Sequence, residues 1–312
     1  MTPLHGHHSS LLVIAVWLAL QQQTPQEDRS VAARREHQLG IQAFRESTPE
    51  GYARAIQHFR AATQLDPSDC QYALRLAEAN LFLALEQAAA RDDFSDAARA
   101  GATPNCAANS VAEARLQALR SLQDVELGTL SLGSVRASRA ALDADRADAL
   151  NWYIDWKVKP DQDNQILRAV ELDPGLPMVQ YELGQYWLAL SDLSKAKAAF
   201  TRALELNPRH FRSYLGLAEA TKRLDPTQNV TDLYLKAIDV APDFWQAHIQ
   251  LGDYYVYLAE NDLASKEYRI AARIHSGLQL PWLKIASNAL ETDDFDVVER
   301  SALTVLFLHN LA

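Results

Sequence analysis

The feature that most constrains the fold is a pattern of large and small residues that recurs every 34 positions. The first copy begins at Leu183, the second at Leu217 and the third at Leu251. A fixed period of this length is typical of a solenoid, in which each repeat is one small unit that packs on its neighbours. The equivalent positions hold Leu183, Gly184, Trp187, Ala196, Phe200, Ala203 and Pro208, then Leu217, Ala218, Thr221, Val230, Tyr234, Ala237 and Pro242, then Leu251, Gly252, Tyr255, Ala264, Tyr268 and Ala271.

The spacing of these residues predicts two helices in each repeat. Small residues such as Gly184 and Ala196 let the helices approach closely, and large ones such as Phe200 fill the space between them. A proline ends the second helix, because the residue before a proline is driven out of the α region. The pattern resembles the tetratricopeptide repeat. That resemblance implies an all-α fold, a right-handed superhelical solenoid of helix-turn-helix hairpins with about six to seven units.

The same positions divide most of the chain into repeats within a solenoid expected over 27–312. Regular units are expected at 146–174, 177–208, 211–242, 245–276 and 279–310. An earlier repeat has a long turn at 47–51 and ends at Pro67, and Leu76 fits the first helix of the next. The register then breaks, so 91–145 is predicted to be an irregular insertion. Helices are expected there over 111–127 and 135–142, but the period does not indicate which helices pair.

Composition agrees with an all-α fold and restricts the class of partner. The chain of 312 residues has only 11 glycines and 12 prolines, and no alternating, strand-like run stands out. Its formal net charge is -10, and no block of lysine and arginine interrupts the acidic balance. A nucleic-acid backbone is therefore a poor partner.

The N-terminal segment, 1–26, resembles a secretion signal. It contains an uncharged apolar run over 11–20, which is too short to span a bilayer as a helix but suits the core of a signal peptide. No lysine or arginine precedes the run, and no clear cleavage site follows it. The prediction is export to the periplasm or beyond. The alternative is that the segment stays uncleaved and anchors the chain in a membrane.

No pattern in the sequence indicates an enzyme, a cofactor or a metal site. Glycine loops that cradle phosphate, zinc-binding helices and nucleophile elbows are absent. The run from Gly128 to Gly133 lacks the lysine that a phosphate site needs. The paired carboxylates at 92–93 and 293–294 fall where helix starts are expected, and there they favour the positive end of the helix dipole. His5, His7 and His8 precede the apolar run and would be removed with it.

Two further features leave alternatives open. The only cysteines, Cys70 and Cys106, form a disulfide in an exported protein or remain two unrelated thiols. Asn229 belongs to a glycosylation sequence, but it also fits the cap of the helix that follows.

The last repeat carries apolar residues at positions that would lie beneath a following unit. These are Leu303, Leu306 and Phe307. A solenoid usually ends in a polar capping helix, and none is evident in this sequence. The three residues either pack within their own hairpin or form an oligomer face that makes a homodimer.

The resemblance also implies a binding groove. In tetratricopeptide repeats the first helices of successive units line a concave surface that holds an extended peptide or a partner helix. The corresponding positions include a basic group at Arg212, Lys222 and Arg223. They do not match the carboxylate clamp of chaperone-binding members, which needs paired positive charges. The groove positions carried over to this sequence are Tyr181, Gln185, Arg212, Glu219, Lys222, Arg223, Gln246, Gln250, Asp253 and Tyr257.

The function expected from this resemblance is an exported, non-enzymatic module that binds a protein or peptide partner along the groove. Two alternatives remain at this stage. One is a structural solenoid that self-associates through its C-terminal helix. The other is an accessory domain of an envelope enzyme complex, with a site in the irregular stretch 91–145.

Overall fold

The computed structural model describes residues 26–91, 110–126, 128–159 and 164–310. These residues form fifteen α-helices and no strand. The helices are α1 (Gln26–Phe44), α2 (Pro49–Leu65), α3 (Cys70–Arg91), α4 (Ser110–Glu126), α5 (Leu132–Ala144), α6 (Ala149–Val158), α7 (Asn164–Leu172), α8 (Pro177–Ala189), α9 (Leu193–Leu206), α10 (Phe211–Leu224), α11 (Thr231–Val240), α12 (Trp245–Tyr257), α13 (Asn261–Ile274), α14 (Gln279–Glu291) and α15 (Phe295–His309). The predicted all-α class is confirmed.

Consecutive helices pack as hairpins, and each hairpin packs on the next. From α6 to α15 the chain forms five such hairpins, in each of which the first helix contacts the second. In the first four, the second helix also contacts the first helix of the following unit. Within 91–145, where the sequence left the pairing open, α4 packs against α5 and both contact α6. Helix α3 lies between α2 and α4, and the segment 92–109 that follows it is outside the described residues.

The turn after α1 is shorter than the sequence suggested. The long turn expected at 47–51 ends at Thr48, because Pro49 to Gly51 form the first turn of α2. The Thr48 hydroxyl accepts a hydrogen bond of 3.0 Å from the Gly51 amide, and proline is tolerated at the start of a helix, where its missing N–H needs no partner. The extra residues therefore lengthen the helix rather than the loop.

Close packing between repeats depends on a large ring set against glycine. The Phe200 side chain of α9 is fully buried between Gly184 of α8 and Gly216 of α10. A Cβ added at Gly184 would lie 2.5 Å from the Phe200 ring, closer than real contacts allow. One aromatic side chain therefore joins its own hairpin to the next.

The first hairpin folds back onto the middle of the solenoid. Arg45 makes an ion pair of 2.7 Å with Asp173, although 128 positions separate them in the sequence. Phe44 and Tyr52 share an apolar cluster with Met178 at the start of α8. The N-terminal half therefore closes on itself, and the open groove described below begins beyond this contact.

A buried cluster of charged side chains ties α3, α4 and α6 together. Glu78 of α3 is completely buried and accepts hydrogen bonds from Arg75, at 2.5 Å, and from Arg115 of α4. Arg115 also donates to the side-chain oxygen of Asn151 in α6, and Asp148 lies 3.6 Å from Arg75. Burial opposes ionisation of Glu78, but the two guanidinium groups outweigh it and hold the pKa of Glu78 below its usual value.

Cys70, the first residue of α3, is disulfide-bonded. The other cysteine of the chain, Cys106, lies outside the described residues. Over the described ranges, no helix is long and apolar enough to span a bilayer.

Candidate functional site

The first helices of three successive hairpins, α8, α10 and α12, line one concave cavity of about 420 Å³. This volume lies within the range typical of ligand sites. The cavity brings together eight of the ten groove residues predicted from the sequence, contributed by all three helices. They are Tyr181, Gln185, Arg212, Glu219, Lys222, Gln246, Gln250 and Asp253.

The floor of the cavity is apolar. Leu188 and Leu215 come from the first helices, and Phe244 precedes α12. Phe244 packs edge-on against Phe211, with ring centroids 4.8 Å apart. The Arg212 guanidinium lies over both rings, 5.4 Å from the Phe244 centroid and 5.5 Å from that of Phe211. This stacking holds a cation at the edge of an apolar floor.

Side-chain amides supply much of the polar surface of the cavity. Gln185 donates a hydrogen bond of 2.7 Å to the Tyr181 hydroxyl. Gln246 and Gln250 face the same cavity from α12, and Gln250 is exposed. Each amide offers both a donor and an acceptor, which is the combination that the backbone of an extended peptide also presents.

Three charged groups of the cavity, Glu219, Lys222 and Asp253, already have side-chain partners. Lys222 makes an ion pair of 2.7 Å with Glu219, one helical turn away. Asp253 accepts hydrogen bonds from the Tyr268 hydroxyl, at 2.7 Å, and from Lys284, whose Nζ lies 2.8 Å from Asp253 Oδ1. Burial and the neighbouring Asp253 carboxylate raise the pKa of Tyr268, so its hydroxyl stays a donor.

Two residues that the sequence assigned to the groove do not line the cavity. The Arg223 guanidinium donates a hydrogen bond of 3.2 Å to the Ser191 hydroxyl in the turn of the preceding hairpin. The Tyr257 hydroxyl donates at 3.1 Å to the Pro226 carbonyl, also in a preceding turn. Both residues lie near the ends of their helices, so their side chains reach the neighbouring turns. The expected basic group at Arg212, Lys222 and Arg223 is thus dispersed.

Two lining residues were missed at the sequence level: Tyr234 and Phe244. Tyr234 was assigned only to the repeat core. Phe244 stands at the N-cap of α12, where a polar side chain is usual, and makes no side-chain cap. An aromatic residue in a cap position was a signal that its ring has another partner.

A buried histidine supports the wall of the cavity. His210 packs under Tyr181 with ring centroids 5.4 Å apart, and shares a hydrogen bond of 2.8 Å with the Ser213 hydroxyl. Burial, together with the Arg212 charge, lowers the pKa of His210 to about 3. The imidazole is therefore neutral in the folded chain at every pH where the protein is expected to work.

We expect His210 to make the chain lose stability as the pH falls from 6.5 towards about 3. The unfolded chain binds this proton near 6.5, and the folded chain binds it only near 3. His210 therefore costs no stability above 6.5, and its cost grows as the pH falls from 6.5 to about 3. The loss is about 1.4 kcal/mol per pH unit within that window. Urea unfolding at a series of pH values should show a shallower acid slope for His210→Asn, which removes the titrating imidazole and places a residue that is favoured at helix N-caps. Equal slopes for the two proteins would contradict the prediction.

The remaining predicted residues lie elsewhere. Leu303, Leu306 and Phe307 of α15 are 57%, 59% and 63% exposed, so they do not pack within their own hairpin. Asp294 caps α15 by accepting from the Val297 amide at 3.2 Å, and Asn229 accepts from the Thr231 amide at 2.9 Å.

Possible metal ligands do not converge in the described part of the chain. No group of three histidine, cysteine, aspartate or glutamate side chains there is placed to hold a metal ion. His5, His7 and His8, together with the acidic pair at 92–93, lie outside the described ranges.

Comparisons with known proteins agree with this architecture. The tetratricopeptide repeat family matches residues 177–210, which contain the hairpin of α8 and α9. A solved structure described as pilF of Pseudomonas aeruginosa is 16% identical, with a TM-score of 0.52 over 65% of this chain and 96% of that one. No curated protein matches the chain.

Two further solved structures are also similar. MamA is 16% identical, with a TM-score of 0.43 over 58% of this chain and 95% of that chain. Yeast Tom70 is 17% identical, with a TM-score of 0.48 over 88% of this chain and 53% of Tom70. The match at 177–210 identifies the hairpin of α8 and α9 as a tetratricopeptide repeat, and the likeness to pilF shows a shared fold.

Proposed function

We propose that the chain is a non-enzymatic scaffold that binds an extended peptide segment of a protein partner in the concave groove. The observation that carries the proposal is the composition of the cavity. An apolar floor at Leu188, Leu215 and Phe244 lies beside the amides of Gln185 and Gln250. An apolar side chain of the peptide fits the floor, and its backbone groups pair with the amides.

The geometry of the three helices supports an extended ligand. Packed helices stand about 8–10 Å apart, and an extended peptide rises about 3.3 Å per residue. One step between neighbouring helices therefore corresponds to roughly three peptide residues. Arg212 stands in the central helix and donates hydrogen bonds to an acidic residue or to the peptide carboxylate, because its guanidinium is held in place by the two phenylalanine rings.

The test is selection of peptides from a random display library on the full chain, followed by measurement of the affinity of the selected peptides. Arg212→Glu and Gln250→Ala are expected to weaken binding, the first by about thirtyfold, which corresponds to about 2 kcal/mol. Arg223→Glu is the matched control, since it reverses an equal charge outside the cavity and should leave affinity unchanged. Failure to select any peptide, or equal loss from Arg212→Glu and Arg223→Glu, would overturn the proposal.

The proposal includes export to the periplasm or the exterior, with a membrane anchor at 1–26 as the alternative. The apolar run at 11–20 supports it, although this run is outside the described residues. The disulfide at Cys70 also supports it, because such bonds persist in oxidising compartments and are rare in the cytosol.

Self-association through the C-terminal helix is the second candidate. The exposure of Leu303, Leu306 and Phe307 favours it, because three large apolar side chains on one helix are a typical feature of an interface.

A further inference from the structure

A second cavity, of about 1050 Å³, lies between α13 and α15 and shares no residue with the concave groove. Its walls carry four cationic side chains, Lys266, Arg269 and Arg273 from α13 and Arg300 from α15. No aspartate or glutamate lines it, and none of the four cations makes an ion pair with a carboxylate of the described residues. In a chain with a net charge of -10, this is a local concentration of positive charge.

The cationic walls are particular to this unit of the solenoid. Moving 34 positions back from Lys266, Arg269 and Arg273 gives Asp232, Leu235 and Asp239 in α11. The cationic residues of α13 therefore do not recur at the equivalent positions of α11. The positive walls are therefore not needed for packing of the fold, and a ligand that complements them is the simplest account of their charge.

The floor of the cavity is apolar and aromatic. Trp282 and Ile285 of α14 form its base, and Val297 of α15 completes it. The occupant that fits this arrangement combines negative charge at its edges with a large apolar group at its centre.

The chain itself displays such an element beside the cavity. The turn from α14 into α15 carries Glu291, Asp293, Asp294 and Asp296 around Phe295. Phe295 is 65% exposed, although it is a large aromatic side chain at the start of a helix. The turn, 291–296, thus presents an aromatic ring among four carboxylates, while the cavity presents an aromatic floor among four cations.

We propose that the turn 291–296 of one copy docks into the α13–α15 cavity of a second copy. The Phe295 ring covers Trp282 and Val297 and lies beside guanidinium groups, which favour an aromatic face. The surrounding carboxylates form charge-assisted hydrogen bonds with the cationic walls. The turn joins α14 to α15, which supply the floor and one wall of the cavity, so turn and cavity are neighbours and a single two-fold axis satisfies both contacts and gives a closed dimer.

In this contact, two copies that each carry a net charge of -10 meet through surfaces of opposite local charge. At long range such copies repel each other, and only a surface of opposite local charge brings them together in one orientation. Burial of the exposed Phe295 ring of each copy adds to the attraction between the two surfaces.

The test uses two charge-reversed versions of the full chain. The cavity variant carries Arg269→Glu and Arg273→Glu, and the turn variant carries Glu291→Lys and Asp296→Lys. All four side chains are exposed, and Asp294 is left intact because it caps α15. In sedimentation velocity the wild type is expected to form a dimer. Each variant alone is expected to be monomeric, since every reversed charge weakens association by about tenfold.

A mixture of the two variants tests whether the reversed charges complement each other. In the mixed pair the lysines of one turn meet the glutamates of one cavity, and the wild-type turn of the other copy meets the wild-type cavity. An equimolar mixture is therefore expected to recover the dimer that neither variant forms alone. Lys236→Glu, which reverses an exposed cation of α11 outside both surfaces, serves as the control and should dimerise like the wild type.

Two results would overturn this inference. One is a wild type that stays monomeric at every concentration. The other is a dimer that survives in both charge-reversed variants but dissociates with Phe307→Asp, which would assign self-association to the exposed face of α15.

Discussion

Replacing Phe200 by alanine is expected to lower the free energy of unfolding by about 3–5 kcal/mol, the usual cost of deleting a fully buried ring. Phe200 is 0% exposed and fills the space between Gly184 and Gly216, which belong to different hairpins. Because neither glycine has a side chain that can move into the vacated volume, the surroundings collapse only partly. Urea unfolding followed by circular dichroism measures the loss.

The chain offers a matched control for this change. Phe307→Ala removes the same ring from a side chain that is 63% exposed, and it should alter stability by less than about 0.5 kcal/mol. Part of the stability lost in Phe200→Ala is expected to come from the interface between hairpins, because nearest-neighbour interfaces supply much of the stability of a solenoid. A loss below about 1 kcal/mol for Phe200→Ala would mean that the repeats do not depend on this ring.

The sequence was sufficient to predict the fold class and the repeat family, and the structure shows why. Leu183, Gly184 and Phe200 sit in a pattern whose period is fixed by the packing of one hairpin on the next. Packing of this kind is local in sequence, so a 34-residue window contains all of its determinants. The groove residues were implied by the resemblance to the tetratricopeptide repeat, and eight of them line one cavity.

Contacts between distant parts of the chain could not be predicted in this way. The ion pair between Arg45 and Asp173 depends on how far the solenoid curves over several units. No single repeat encodes that curvature, because it is the sum of small rotations between neighbours. The partners of Lys222 and Arg223 were missed for a related reason, since a helical position does not indicate whether its side chain reaches along its own helix or to the next turn.

Removal of Arg115 from the buried charged cluster is the second change with a large expected effect. Arg115→Met is expected to lower the free energy of unfolding at neutral pH by about 3–5 kcal/mol, because Glu78 would keep its charge with only Arg75 to compensate it. The comparison is Arg202→Met, which breaks a pair with Glu205 whose side chains are 50% and 58% exposed. An exposed pair of this kind contributes only about 0–1 kcal/mol.

The pH dependence separates this electrostatic cause from a simple loss of packing. In the wild type the pKa of Glu78 is held below its ordinary value of 4.5, so the cluster contributes fully above that pH and loses its contribution as the pH falls further. Without Arg115, burial becomes the dominant influence and raises the pKa of Glu78. Protonation of Glu78 then removes the uncompensated buried charge of the variant as the pH falls from 7 towards 4.5. The gap in stability between wild type and Arg115→Met should therefore narrow over that range. A gap that stays constant would show that Arg115 acts through its packed side-chain stem rather than through its charge.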